Sequence, residues 1–148
     1  MSPMSEPASA KSSHAANEVE VTLPLRTDFV ATLRTVAASL GADAGFSIDE
    51  IDDLRLAISE VVSSLIDSTT ADDDRVVATF ELRTSCVAVA ITTRRGEHRI
   101  ELDDLASSIL QSVVDEYEVE GPRVTMVKLA SEAVGLIETD TDTERVVH

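Results

Sequence analysis

Polar and apolar positions change period several times along this chain, and each change marks an element. Glu18 to Pro24 (EVEVTLP) alternates, which predicts a half-buried strand. Thr27 is a candidate N-cap for the next segment. There Phe29, Val30, Leu33, Val36, Ala37 and Leu40 fall at helical spacing, and Gly41 is placed to stop the helix. Phe46 to Ser68 (FSIDEIDDLRLAISEVVSSLIDS) carries the strongest pattern. Ser47 and Glu50 form an S-x-x-E capping box, with Phe46 and Ile51 at the positions of a hydrophobic staple. Ile51, Leu54, Ile58, Val61, Val62 and Leu65 gather on one arc at roughly 100° per residue, which predicts a core face.

Val76 to Leu82 and Cys86 to Thr92 are rich in β-branched residues and predict a hairpin turning through Arg83-Thr84-Ser85. Thr93 to Leu102 is polar and reads as a loop. Asp103 and Asp104 can cap a third helix running to about Glu116, with Leu105, Ile109, Leu110 and Val113 inward. Tyr117 to Val119 and Val124 to Leu129 flank the turn Gly121-Pro122 and predict a last strand pair. Ser131 to Ile137 is ambiguous. The order β-α-α-β-β-α-β-β predicts an α/β two-layer sandwich, with three main helices on one face of a mostly antiparallel sheet. Residues 1–17, rich in Ser, Ala and Pro, read as a disordered arm, 18–137 as a single domain, and 138–148 as an acidic flexible tail.

Composition narrows the picture. Hydrophobic residues make up 43% of the 148 and aromatic residues 3%, so one modest core must be built from Val, Leu, Ile and Ala. There are 28 acidic against 12 basic residues and a formal net charge of −16. A duplex-binding surface needs clustered Lys and Arg, so direct nucleic-acid binding is not expected. The charge serves solubility, or an acidic face for a basic partner. Cys86, the only cysteine, lies in an apolar run and reads as a buried small hydrophobe in a reducing compartment. His14, His98 and His148 are scattered, and no metal site is expected. Without an apolar span or a signal-peptide core, a soluble cytoplasmic protein is expected, with no membrane partner.

Asp52 to Asp67 (DDLRLAISEVVSSLID) resembles the first nucleotide box of the anti-sigma factor serine kinases, which reads roughly D-L-R-L-A-V-S-E-A-V-T-N-A. Asp53, Leu54, Arg55, Leu56, Ala57, Ser59 and Glu60 match it. A second stretch, Ile109 to Leu129 with VVDEYEVEGPRVTMVKL, resembles that family's helix, acidic turn and strand pair. The resemblance runs from about Glu18 to Leu129. It implies a Bergerat-type fold of the histidine-kinase/HSP90-like ATPase superfamily. Glu60 takes the place of the general base that activates a substrate serine. Ser64 takes the place of the asparagine that holds Mg²⁺, as a shorter and poorer ligand for a hard cation. The adenine-reading D-x-G-x-G is replaced by Arg94-Arg95-Gly96-Glu97-His98, in which only Gly96 survives. The place of the Gly-rich lid holds Leu105-Ala106-Ser107-Ser108.

The resemblance therefore implies a degenerate site of Ser64, Arg94 and Gly96, with no cofactor expected unless the altered site still binds Mg-ATP. It implies an anti-sigma-factor-like regulator that sequesters an alternative sigma factor in a partner-switching pathway. An anti-anti-sigma partner of the STAS type would relieve it, and a homodimer is expected. Two alternatives stand beside this: an active serine kinase with Glu60 as base, and a pseudo-ATPase domain in another partner-switching pathway. The family tends to meet its partner on the first helix, which carries Arg26, Asp28 and Arg34 over as contact residues. Leu56, outside the apolar arc, is either an ordinary exposed leucine or a further contact. Arg94, Arg95, His98 and Arg99 are either a solvated loop pairing with carboxylates or a residual anion site.

Overall fold

Alternation along the strands sends one set of side chains inward. Val76, Ala78 and Phe80, then Val87, Val89 and Ile91, then Val124 and Met126 are buried, and the residues between them reach the opposite face. The computed structural model describes residues 17–68, 73–96 and 99–131. Strand β1 (Glu18–Pro24) leads through a 3-10 turn (Thr27–Phe29) into α1 (Val30–Asp43) and α2 (Ile48–Ser68). Strands β2 (Arg75–Arg83) and β3 (Cys86–Thr93) form a hairpin, and α3 (Asp104–Val113) precedes a second hairpin of β4 (Glu116–Glu120) and β5 (Arg123–Leu129). The sheet order is β1-β2-β3-β5-β4, and every neighbouring pair is antiparallel.

Phe80 pairs with Val89 and Val89 with Met126, so the buried residues of three strands share one face. Leu33 and Ala37 of α1, Leu54, Ile58, Val61, Val62 and Leu65 of α2, and Ala106, Leu110 and Val113 of α3 close over it. This is the two-layer sandwich expected from the element order. The core is aliphatic as expected, with Phe80 the one aromatic among the largest fully buried side chains of the described residues.

Four local expectations change. Thr27 does not cap a helix, because the chain enters α1 through the 3-10 turn and neither segment has a side-chain cap. Gly41 does not stop α1. The helix runs on to Asp43 and closes in a Schellman motif, with Gly45 at φ +87°, its N–H on the Ala42 carbonyl and the Phe46 N–H on the Gly41 carbonyl. Gly41 is needed for room instead: a Cβ there would sit 3.0 Å from Phe46 Cδ2 and 3.2 Å from Ile51 Cγ1. The two staple residues thus pack against the bare backbone of α1. Helix α3 stops at Val113, short of Glu116, which starts β4.

The fourth change is at Leu105. Asp103 caps α3 through the Ala106 N–H at 2.7 Å, and the inward residues are Ala106, Leu110 and Val113. Leu110 and Val113 are buried and Ile109 packs against the core as expected, but Leu105 is 68% exposed and Ala106 takes the inward place in the first turn. The N-terminal arm through residue 16, and the tail from residue 132 that includes most of the ambiguous segment, lie outside the described residues.

Candidate functional site

Helix α2 positions the candidate base. Its capping box forms as the sequence predicts: the Ser47 N–H donates to Glu50 Oε1 at 2.8 Å, and the Glu50 N–H donates to Ser47 Oγ at 3.2 Å. With the apolar arc turned to the sheet, Asp53, Glu60 and Ser64 fall on a flank of the helix where each is partly exposed. Ser64 follows Glu60 by four positions, so the two stack one turn apart. The Ser64 hydroxyl donates to the Glu60 carbonyl at 3.0 Å and lies against the helix backbone. Ser59 does the same to Arg55 at 2.9 Å.

Asp53 meets a residue from the sheet. Lys128 Nζ lies 3.3 Å from Asp53 Oδ2 and donates to the Val113 carbonyl at 2.8 Å. One ammonium therefore joins α2, the C-terminal end of α3 and β5. Helix α3 packs directly on α2 beside this flank and opens on the Asp103 cap, where the resemblance places a glycine-rich lid.

Arg94 and Gly96 sit at the open end of the β2–β3 hairpin. The Arg94 N–H donates to the Arg75 carbonyl at 2.8 Å, extending the ladder by one bond. Arg95 Nη2 donates to the Asp73 carboxylate, 2.7 Å from each of its two oxygens. Gly96 turns with φ +58°, its N–H on Thr93 Oγ1 at 3.0 Å. Beneath them Asp74 is 5% exposed and accepts from the Arg75 N–H at 2.8 Å. Of the cluster Arg94, Arg95, His98 and Arg99, the side chain of Arg95 pairs with a nearby carboxylate, while Glu97 and His98 lie outside the described residues.

The partner-contact residues divide. Arg34 and Leu56 come together in a depression of about 360 Å³ on the outer side of α1 and α2, completed by Asp52, Arg55 and Ser59. Leu56 is 42% exposed. The Nε atoms of both Arg34 and Arg55 are buried and donate to no atom among the described residues. Arg26 and Asp28 pair with each other at 3.1 Å at the entry to α1, both exposed. Sequence reasoning missed Asp52, Arg55 and Ser59 as a group, although with Leu56 their spacing already puts them on one helix face. Among the described residues, no group of three His, Cys, Asp or Glu could hold a metal, and no helix is long and apolar enough to cross a membrane.

No family model matches the chain. A serine-protein kinase RsbW from Halalkalibacterium halodurans is 22% identical over 79 residues, which is 53% of this chain and 49% of that protein. A serine-protein kinase RsbW from Bacillus cereus is 29% identical over 56 residues, 38% of this chain and 35% of that protein. The chain thus spans half or less of these curated relatives. The solved structure of the RsbU and RsbW domains of a Mycobacterium tuberculosis protein matches with a TM-score of 0.57 at 19% identity, over 76% of this chain and 31% of that one. That match shows the fold, an α/β sandwich of the RsbW type. Weak but consistent sequence similarity relates the chain to the RsbW family of anti-sigma-factor serine kinases.

Proposed function

We propose that this protein is an anti-sigma-factor-like regulator that sequesters an alternative sigma factor in a partner-switching pathway, with ATP binding weak or lost. The observation that carries the reading is at Ser64, whose hydroxyl lies on the Glu60 carbonyl in the place of the family's Mg²⁺-holding asparagine. A serine there offers a hard cation less than an amide oxygen does. At the adenine end, Arg94 and Gly96 stand beside an Arg95 engaged by Asp73, so donors replace the acceptor carboxylate. The start of α3 has no glycine-rich run of backbone N–H groups to cradle phosphates. Mg-ATP held in the family's way fits this set of residues poorly.

The partner half of the reading is supported by the depression between α1 and α2. A leucine exposed beside Arg34 and the Arg55–Asp52 ion pair suits a protein contact that offers an apolar side chain with polar groups around it. Arg26 and Asp28 would extend that contact at the entry to α1. An anti-anti-sigma partner and a cytoplasmic homodimer complete the reading.

A second reading is an active serine kinase with Glu60 as general base. The retained Glu60 and the names of the relatives favour it. Calorimetric titration of Mg-ATP and Mg-ADP separates the two. No binding at millimolar nucleotide, together with sigma-factor capture that Arg34→Ala weakens, supports the regulator. Micromolar binding, with phosphorylation of an anti-anti-sigma protein abolished by Glu60→Ala, moves the conclusion to the kinase.

A further inference from the structure

The sheet has a second face, and among the described residues no helix covers it. Val77 and Thr79 of β2, Ala88 and Ala90 of β3, and Thr125 and Val127 of β5 point there, each partly exposed. The register sets Thr79 beside Ala90, Ala90 beside Thr125, and Ala88 beside Val127. They form a strip of small and β-branched side chains, bordered on the same face by Glu81, Arg83 and Arg123, with shallow depressions of about 260 Å³ and 400 Å³ reaching from it to the charged edges.

The two edge strands have different chemistry. Strand β1 turns Val21 and Leu23 to the core and Glu18 and Glu20 to this face. Strand β4 turns Tyr117 and Val119 to the core and Glu116, Glu118 and Glu120 to this face. Two exposed rows of carboxylates therefore flank the strip. Arg75, Arg83 and Arg123 share the face, and Arg83 is paired with Glu81 at 2.8 Å.

Charged edges by themselves discourage sheets from pairing edge to edge. What goes beyond edge protection is that both rows rise on one face, with Thr79, Ala88, Ala90, Thr125 and Val127 between them and the arginines Arg75, Arg83 and Arg123 toward the strand ends. Four strand spacings separate the rows by roughly 19 Å. A helix with its side chains is about 10–12 Å wide, so one lying on the strip leaves each row within reach of Lys or Arg on its flanks. A second copy of this chain fits less well. Both edges are acidic, so either two-fold arrangement of two faces sets glutamates over glutamates.

The geometry points to this face as a docking surface for a basic amphipathic helix of a partner protein. The helix would lay a narrow Ala, Val or Leu stripe on Ala88, Ala90 and Thr125 and set Lys or Arg along both flanks. The face lies on the side of the sheet away from the helices, so the inference does not depend on the reading of the Arg34–Leu56 depression or of the nucleotide site.

Fluorescence anisotropy tests it, with the full chain and a synthetic helix of about five turns carrying an Ala/Leu stripe between two rows of lysine. Binding that weakens with salt is expected. Combining Glu18→Gln, Glu20→Gln, Glu116→Gln and Glu118→Gln should cost roughly tenfold in affinity or more. The matched set Asp43→Asn, Asp49→Asn, Glu101→Gln and Asp104→Asn, at exposed positions outside the sheet, should cost little. Ala90→Arg should abolish binding. Equal losses from the two neutralised sets would reduce the effect to general attraction and overturn the proposal, as would no binding at about 100 μM. A dimer in light scattering that Ala90→Arg splits would assign the face to a second copy and overturn it as well. The glutamines lie on solvated edges and leave the fold intact, so the test does not depend on how Ala90→Arg folds.

Discussion

The carboxylate of Glu50 accepts a hydrogen bond from the backbone N–H of Ser131, 81 positions later in the chain, while it closes the first turn of its own helix by accepting from Ser47. One side chain, only 8% exposed, thus caps α2 and ties the residue beyond β5 to it. Burial alone would raise its pKa. The hydrogen bonds from Ser131 and Ser47 outweigh that and lower it from 4.5 to about 2.

Because the folded pKa lies below the unfolded one, this stabilisation is complete above pH 4.5 and fades as pH falls from there through about 2. Glu50→Gln keeps the shape of the capping box and loses the charge. It should cost about 1–2 kcal/mol at neutral pH. Urea denaturation at a series of pH values should show the gap between the two proteins closing as the pH approaches 2. A gap independent of pH would place the cost elsewhere.

Gly41→Val should destabilise the protein by about 2 kcal/mol, since even a Cβ there meets Phe46 and Ile51 at 3.0 and 3.2 Å. Thermal unfolding followed by circular dichroism checks this. An unchanged melting temperature would mean that α1 and α2 separate without loss.

Ile58 and Glu60 are two positions apart on α2 and should behave oppositely. Ile58 is fully buried, and Ile58→Asp would put an unpaired carboxylate in the core, at a cost of about 4 kcal/mol or more. Glu60→Ala should leave the melting temperature within about a degree or two, because its side chain sits on the partly exposed flank. A large loss in Glu60→Ala would show that this carboxylate holds structure rather than standing ready for chemistry.

Lys128→Met should cost about 1–2 kcal/mol, because it removes the donor that satisfies the Val113 carbonyl at the end of α3 and leaves Asp53 without its cation. Asp53→Ala should cost less, since its side chain is 41% exposed and water replaces the ammonium. Chemical denaturation of both variants and the double mutant measures the coupling; equal costs would contradict this ranking.

The sequence determined the elements and most of the core. Periods of 2 and 3.6, the S-x-x-E box and Gly121-Pro122 act over a few residues, so their consequences are visible without a fold. It also determined that Glu60 and Ser64 share a helix flank, since that follows from a spacing of four. Sequence likeness to RsbW proteins supplied the class, and the fold agrees with it.

Tertiary structure decided what depends on residues distant in the chain. Gly41 looked like a helix stop because local rules hold no record of Phe46 and Ile51 arriving against its backbone. Leu105 looked inward because it is the larger apolar residue of the first turn, and the packing of α3 on α2 buries Ala106 there instead. Glu50 was legible as a cap but not as a buried anchor, since Ser131 lies beyond any local pattern. Arg34 and Leu56 meet in one depression only because α1 packs beside α2, and Asp73 reaches Arg95 only because the hairpin brings its two ends together. Local propensity acts over a turn of chain and was enough to align Glu60 with Ser64, whereas burial and ion pairing act through space, and they assembled the Arg34–Leu56 depression, the Arg95–Asp73 pair and the Glu50 anchor.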